Sequence, residues 1–288
     1  MADTPSESEA FKVEIANLLV AFLLTAMLYG VSLFLIGLYF LSPARPKDTA
    51  FVKCTVGSLG VLATIEIVFL SIVTYYKTVD SSLPIGVFSA IPMGGIIFSV
   101  SLMAFIAQFY FASRIWIVSS SRWLYVGPIT FLAFTQFVTV NLNEGAASAQ
   151  AILEDHVAYL DLFDSSLPRV AVLTAATAAA DILSTIGLCR TLQHSRSGIS
   201  RTDAVIAKII RYSIQRGAAT SLAAVLTLIM FVTVAQSAFM IPLLVSGQLY
   251  VISVVSMLLN RSKLQDLLHG DHPHHSPALT LPSGATTS

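Results

Sequence analysis

Charged residues are scarce in this chain of 288 residues. Asp, Glu, Lys and Arg make up 11% of it, whereas a soluble domain has roughly a quarter. Apolar residues make up 55% and the mean hydropathy is +0.78. So few charges cannot cover the surface of a water-soluble protein of this size. The composition therefore excludes a soluble globule and indicates a membrane protein whose apolar surface faces lipid.

The sequence also lacks an excess of charge of one sign. Its 16 basic and 16 acidic residues give a formal net charge of zero, so no basic field is present to attract nucleic acid. The chain has two cysteines, Cys54 and Cys189, which is too few for a disulfide framework. We predict that nucleic acid is not a partner and that no disulfide forms.

The motifs of several enzyme and receptor classes are missing. There is no glycine-rich phosphate loop, HExxH, GxSxG or CxxC, so we expect neither an enzyme nor a cofactor. The last apolar run, 239–259, contains no lysine for retinal, and rhodopsin-type receptor motifs are absent. Four histidines between His269 and His275 have loose spacing and no cysteine, so no metal site is predicted.

Seven long apolar runs are present instead, and each has about the 20 residues that a transmembrane helix needs. They cover approximately residues 15–41, 52–76, 85–112, 123–142, 167–189, 209–235 and 239–259. The predicted fold class is all-α, a polytopic bundle of seven transmembrane helices over residues 15–260. Residues 1–14 are predicted to form a polar outer tail, and residues 261–288 a disordered cytoplasmic tail.

The distribution of Lys and Arg predicts the orientation. Thirteen of the 16 basic residues lie in the first, third and fifth connections with their flanks and in the carboxy tail. The other side has three, Lys12, Lys77 and Arg169. Because cytoplasmic loops are rich in Lys and Arg, the amino terminus is predicted outside and the carboxy terminus in the cytoplasm. A six-span alternative, with 239–259 lying on the membrane, puts Arg261 and Lys263 outside and fits the count less well.

Two connections have opposite charge. The outer connection, 143–166, is acidic, and the spacing of Leu153, Val157 and Leu160 predicts a short amphipathic helix there. The inner connection, 190–211, is basic and would meet acidic lipid headgroups or a cytoplasmic partner.

Three ionisable residues fall inside the predicted spans, where each costs at least about 2 to 3 kcal/mol on insertion scales. Glu66 lies about 21 Å and Asp181 about 12 Å from the inner ends of their helices, so the two are predicted to lie at different depths. Arg216 is predicted close to the depth of Asp181. The ion pair Asp181–Arg216 is one hypothesis. In the alternative, Arg216 extends to lipid headgroups and Asp181 accepts hydrogen bonds from Ser or Thr.

Glu66 is the candidate for a ligand or ion contact, because it is predicted nearer the outer face. The alternative is a protonated carboxyl group that is hydrogen-bonded to a neighbouring helix. Gln108, Gln136 and Gln248 either line the same interior or serve as polar contacts between helices.

Two runs contain residues that allow a helix to bend. The third has Pro92, Gly94 and Gly95, and the seventh has Pro242 with Gly247. Proline removes an intrahelical hydrogen bond and glycine loosens the turn, so both runs are candidate hinges.

Three stretches together resemble a known family. They are MLYG at 27–30, SRIW at 113–116, and the segment from ADIL at 180–183 through RTD at 201–203 to KII at 208–210. The pattern is similar to a seven-helix membrane family of mushroom-forming fungi (basidiomycetes), domain of unknown function 6534. The resemblance implies seven helices and supplies no substrate, ligand or catalytic residue.

Three functional hypotheses follow. The first is a receptor-like or sensory protein, for which an outer pocket closed from below is expected. The second is a small-solute transporter or channel, for which a polar path through Glu66 is expected. The third is a non-signalling membrane organiser with a packed interior. Under all three hypotheses the ligand of the protein is unknown, membrane lipid is its surrounding partner, and the plasma membrane is its expected location.

Overall fold

The computed structural model describes residues 7–42, 49–79, 85–118, 122–153, 217–227 and 238–269, and short stretches at 179, 181–183, 185–187, 189–190, 214 and 229–230. Six helices lie within these ranges: α1 (Glu7–Leu41), α2 (Ala50–Val79), α3 (Ile85–Val118), α4 (Arg122–Leu153), α5 (Gly217–Thr227) and α6 (Met240–His269). The residues described around Asp181 are also helical, and no β-strand occurs in any of these ranges. The predicted all-helical class is confirmed.

Four of the described helices are long and apolar enough to cross a membrane. The qualifying stretches are Phe11–Leu41, Ala50–Val79, Ile91–Ser113 and Met240–Asn260. They support a membrane-embedded protein and account for four of the seven predicted spans. These four stretches lie in α1, α2, α3 and α6.

The helices pack as neighbours along the chain, with α6 returning to the first three. α1 packs against α2 and α6, and α3 packs against α2, α4 and α6. At one end of the bundle, Lys77 near the end of α2 forms an ion pair with Glu14 near the start of α1, as expected for antiparallel neighbours. The buried core follows α6 through Val251, Val254 and Val255.

Large apolar side chains cover the outside of the bundle. Met27 on α1 is 71% exposed and Phe131 on α4 is 70% exposed, whereas Ser32, Glu66 and Gln248 are fully buried. This distribution is the one expected where the surrounding solvent is hydrocarbon, because polar groups then gain more from one another than from the surface.

Three helices extend beyond their predicted boundaries. α4 continues to Leu153, past the end of the apolar run at 142 and into the predicted outer connection. Val157 and Leu160 lie outside the described residues. α1 begins at Glu7, within the predicted tail 1–14, and α6 continues to His269, past the boundary at 260. Hydropathy marks where a sequence leaves lipid, whereas helix propensity decides where a helix ends. The alanines after residue 145 and the Leu, Lys and Gln residues after 260 favour helix.

The candidate hinges occupy different environments. Pro92 lies in the interior of α3, where it removes one intrahelical hydrogen bond. Pro242 is the third residue of α6, where a backbone N–H has no intrahelical acceptor. Pro242 therefore belongs to the start of a helix, and the reason for placing a hinge there is absent.

Gly95 serves a close helix contact. A Cβ atom at this position would overlap the ring of Phe69 on α2, so only glycine lets the ring lie against the α3 backbone. Gly94 precedes it in the same helix. The glycine pair thus coincides with the place where α2 and α3 pack closely.

Candidate functional site

Two polar side chains on α6, Gln248 and Tyr250, organise the buried polar groups of the bundle. They are two residues apart, which separates them by about 3 Å along the helix axis and about 200° around it. They therefore project from nearly opposite faces of α6. Each of them bonds to one of the carboxyl groups predicted to lie within the membrane.

On one face, Gln248 joins three helices. Ser32 Oγ of α1 donates to Gln248 Oε1 over 2.9 Å, and Gln248 Nε2 donates to Glu66 Oε2 of α2 over 2.8 Å. All three side chains are fully buried. Because the carboxamide is a donor at one end and an acceptor at the other, it satisfies a hydroxyl and a carboxyl group at once.

Glu66 also lies against a glycine. A Cβ atom at position 247 of α6 would lie 3.3 Å from Glu66 Oε1 and 3.0 Å from Met103 Cε, so glycine leaves the space that the carboxyl group occupies. Glu66 Oε1 is buried and has no hydrogen-bond partner within the described ranges. The site is closed, and it corresponds to the predicted alternative in which Glu66 bonds to a neighbouring helix.

On the other face, Tyr250 bonds to Asp181. The Tyr250 hydroxyl donates to Asp181 Oδ2 over 2.6 Å, and both side chains are buried. The hypothesis of an Asp181–Arg216 pair cannot be compared with this contact, because Arg216 lies outside the described residues. The tyrosine was not anticipated as a partner of Asp181.

Next to Asp181, two helical segments approach closely. Thr185 Oγ1 donates to the carbonyl oxygen of Asp181 over 2.8 Å, and a Cβ atom at Gly217 would overlap the Thr185 side chain. Gly217 therefore allows α5 to touch the segment that carries Asp181.

The two carboxyl groups are at similar depth. Glu66 is bonded to Gln248 and Asp181 to Tyr250, so the two lie within about one turn of each other along α6. The predicted difference in depth counted residues from the inner ends of the second and fifth apolar runs and took both ends to lie in one plane, whereas these contacts relate both carboxyl groups to α6. α6 itself separates the two groups, which argues against a catalytic dyad.

A cavity of about 140 Å3 lies on the Tyr250 side of α6. Its walls come from α3, α4, α5 and α6, and most are apolar, with Val100, Ala104, Ala224 and Leu244 among them. Glu66 is not a wall residue. Tyr250 lines this space and also bonds to Asp181, so the cavity meets the buried carboxyl group through the tyrosine.

The polar side chains of the cavity differ in what they bind. Four hydroxyl groups donate to carbonyl oxygens of their own helices: Ser101 to Phe98, Thr220 to Gly217, Thr227 to Ala223 and Ser246 to Leu243. Glu144 of α4 also lines the cavity. Ser101 also accepts a hydrogen bond from Asn141 of α4 over 3.1 Å.

Gln136 of α4 is different. It lines the cavity and is 9% exposed, and its carboxamide makes no hydrogen bond to the described part of the chain. It therefore presents an unused donor and an unused acceptor to the cavity.

Gln108 is a second unpaired carboxamide, at another place. It follows Ala104 by one turn on α3 and is 1% exposed, and neither its Oε1 nor its Nε2 has a partner in the residues that the structure covers. It does not line the cavity. Of the three glutamines, Gln248 is a polar contact between helices, Gln136 faces the cavity, and Gln108 is buried without a partner among the described residues.

These positions show which residues of the site could be predicted from the sequence and which features could not. Polar residues inside apolar runs pointed to Glu66, Asp181 and the glutamines, and the same signal applies to Ser32 and Tyr250. The cavity itself could not be predicted from the sequence, because most of its wall residues are apolar, like the rest of the helices. Across the described ranges, no group of three or more His, Cys, Asp or Glu residues is placed to hold a metal ion.

The comparisons with known proteins agree with the resemblance seen in the sequence. The model of a family described as "Family of unknown function (DUF6534)" matches residues 177–263. This part, under a third of the chain, contains Asp181, α5 and most of α6. None of the curated proteins matches the sequence. The match supports similarity to a family of unknown function and brings no ligand or reaction with it.

Proposed function

We propose that this protein is a receptor-like membrane protein that binds a small, mainly apolar molecule in the cavity between α3, α4, α5 and α6. The observation that carries the proposal is the cavity itself, about 140 Å3 in volume and bounded by Tyr250. Sites for small molecules are commonly concave, mainly apolar and provided with a few polar groups, and helix bundles often form them between helices.

The size of the cavity limits the ligand. An engineered apolar cavity of about 150 Å3 in another protein takes up benzene or xenon. A molecule of roughly six to ten non-hydrogen atoms therefore fits the space seen here. The full length of a lipid chain does not fit.

Tyr250 offers a route from the cavity to the predicted cytoplasmic side. It touches the cavity and bonds to Asp181, which precedes the basic segment 190–211. A ligand that displaces the tyrosine ring would alter this bond and the position of the Asp181 segment. The proposal includes seven spans in a fungal protein of the plasma membrane, an outer amino terminus, and a cytoplasmic partner or acidic lipid at 190–211.

The other hypotheses have less support. A transporter that uses Glu66 needs access to that side chain, but Glu66 is fully buried, is bonded to Gln248 and does not line the cavity. A pure organiser has no use for a cavity beside a buried carboxyl group. The described helices show no nucleophile paired with a base, and the proposal concerns binding alone.

The test compares ligand binding by the wild type, whose cavity is open, with binding by a variant whose cavity is filled by a larger side chain. The full chain in nanodiscs is screened for small apolar compounds that raise its thermal stability, since a ligand that binds only the folded state stabilises it. Ala104→Phe places bulk in the cavity, and Val61→Phe adds the same ring at a position that is 60% exposed on α2. We expect compounds that stabilise the wild type and Val61→Phe but not Ala104→Phe. Equal stabilisation of all three proteins, or of none, would contradict the proposal.

A further inference from the structure

We propose that Gln136 is the residue that selects the ligand, and that the ligand is a small neutral molecule whose polar group both donates and accepts a hydrogen bond, as a primary amide does. This inference rests on the proposed function, because it concerns the same cavity. It adds the chemical class of the ligand and the residue that recognises it.

The first step of the argument is that Gln136 is nearly buried and unpaired. Its side chain is 9% exposed and makes no hydrogen bond to any described residue, although it lies on the cavity wall. Gln136 is not among the side chains whose polar atoms are fully buried without a partner, so its carboxamide stays accessible. A guest that fills the cavity displaces any water beside this carboxamide, so a guest that supplies both hydrogen bonds is favoured over one that supplies none.

The second step is that the neighbouring polar groups are already engaged. Four wall hydroxyl groups donate to a carbonyl oxygen of their own helix: Ser101, Thr220, Thr227 and Ser246. Glu144, which also lines the cavity, has an interaction of its own. The Tyr250 hydroxyl donates to Asp181. Their hydrogens are thus used within the protein, and Gln136 contributes the free N–H donor of this wall together with a free carbonyl oxygen.

The third step is the match between the two partners. The side chain of glutamine is planar, with an acceptor oxygen and a donor nitrogen side by side. A primary amide, or a protonated carboxylic acid, has the same pair in the opposite order and forms two parallel hydrogen bonds with it. The apolar remainder of such a molecule suits the walls formed by Val100, Ala104 and Leu244.

The experiment compares three probes of similar shape: benzamide, which has a donor and an acceptor, acetophenone, which has an acceptor, and toluene, which has neither. Binding to the full chain in nanodiscs is measured for wild type and Gln136→Leu, with empty nanodiscs as the reference. For each probe the result is the ratio of the two Kd values, which cancels differences in partition between the probes.

We expect Gln136→Leu to weaken benzamide by about tenfold or more, acetophenone by less, and toluene not at all, because a buried polar group without its partner loses at least this much. Gln108→Leu is the matched control. It makes the same substitution at a buried glutamine of α3 that does not line the cavity, so all three ratios should stay near one.

The possible results separate this inference from the proposed function. If the wild type binds toluene but Gln136→Leu changes all three Kd values alike, the cavity binds ligands and the role of Gln136 is refuted. If the wild type binds none of the probes, the proposed function fails and the inference fails with it. Gln136→Met, which is unbranched like glutamine, gives the same test should the leucine variant not fold.

Discussion

The two faces of α6 solve the problem of polar groups in hydrocarbon in different ways. Toward α1 and α2, Gln248 bonds to Ser32 and Glu66 and the interior is packed. Toward α3, α4 and α5, a cavity remains, and Gln136 on its wall has no partner within the described residues. Gln248 therefore holds helices together, whereas the carboxamide of Gln136 is left available to a ligand.

This difference shows that the residue type alone does not tell whether a buried glutamine stabilises the bundle or is free to bind a ligand. In a bilayer, polar side chains between helices often act as interhelical contacts. Where all the bonds are made inside the protein, the group stabilises the bundle and offers little to a ligand. Where they are not made, the same group costs stability and becomes a candidate for recognition.

The largest expected effect is on the packed face. Gln248→Leu removes both hydrogen bonds and leaves Ser32 and Glu66 without this partner, so we expect a loss of about 2 to 4 kcal/mol in unfolding free energy. The measurement is reversible unfolding in mixed micelles. The double variant with Glu66→Leu should lose less than the sum of the two single variants, because the pair acts as a unit. Strict additivity would show that the bond is not a source of stability.

A smaller effect is expected where α5 meets the Asp181 segment. Gly217→Ala places a methyl group against Thr185, whose hydroxyl is fixed by its bond to the Asp181 carbonyl, so we expect a loss of about 1 to 3 kcal/mol. Gly37→Ala is the matched control, because nothing lies within 4 Å of the added methyl group. Thermal unfolding of the two variants side by side measures the difference. Equal stability would mean that the close approach is absent.

The bond between the cavity and the buried carboxyl group is tested by Tyr250→Phe. The ring stays, and only the hydroxyl group that donates to Asp181 is lost. We expect a loss of about 1 to 2 kcal/mol, because Asp181 keeps its place in the interior without this donor. The same unfolding assay checks it, and an unchanged midpoint would show that the hydroxyl contributes nothing.

The smallest effect has the opposite sign. Gln108→Leu removes a carboxamide whose two polar atoms are buried without partners, so we expect a gain of about 1 kcal/mol, in contrast to Gln248→Leu. The two substitutions are chemically identical, and each is the control of the other. If Gln108→Leu destabilised the protein as strongly as Gln248→Leu does, the contrast between bonded and unpaired glutamines would be lost.

Much of the fold could be predicted, because an apolar composition indicates that the helices are surrounded by lipid. The apolar runs located α1, α2, α3 and α6, and the polar residues inside them named Glu66, Asp181 and the three glutamines. The ends of the helices could not be predicted from hydropathy, since α4 and α6 continue in helix-forming residues after the apolar run ends.

The pairing of the polar residues could not be predicted for a different reason. Whether Gln248 meets Glu66 depends on the rotation and relative height of α6 and α2, which sequence distance along one helix does not encode. The predicted depth of Asp181 rested on such a distance. The cavity was invisible in the sequence, because an empty space between four helices results from how apolar side chains pack and not from which residues are present.

The central claim is that the cavity face of α6 admits a small guest and the Gln248 face does not. Xenon binds in apolar cavities of this size, so a crystal of the full chain pressurised with xenon tests the claim directly. We predict an anomalous peak between Ala104 and Ala224 and no peak beside Gln248. A cavity without xenon, or a peak beside Glu66 and Gln248, would contradict this account.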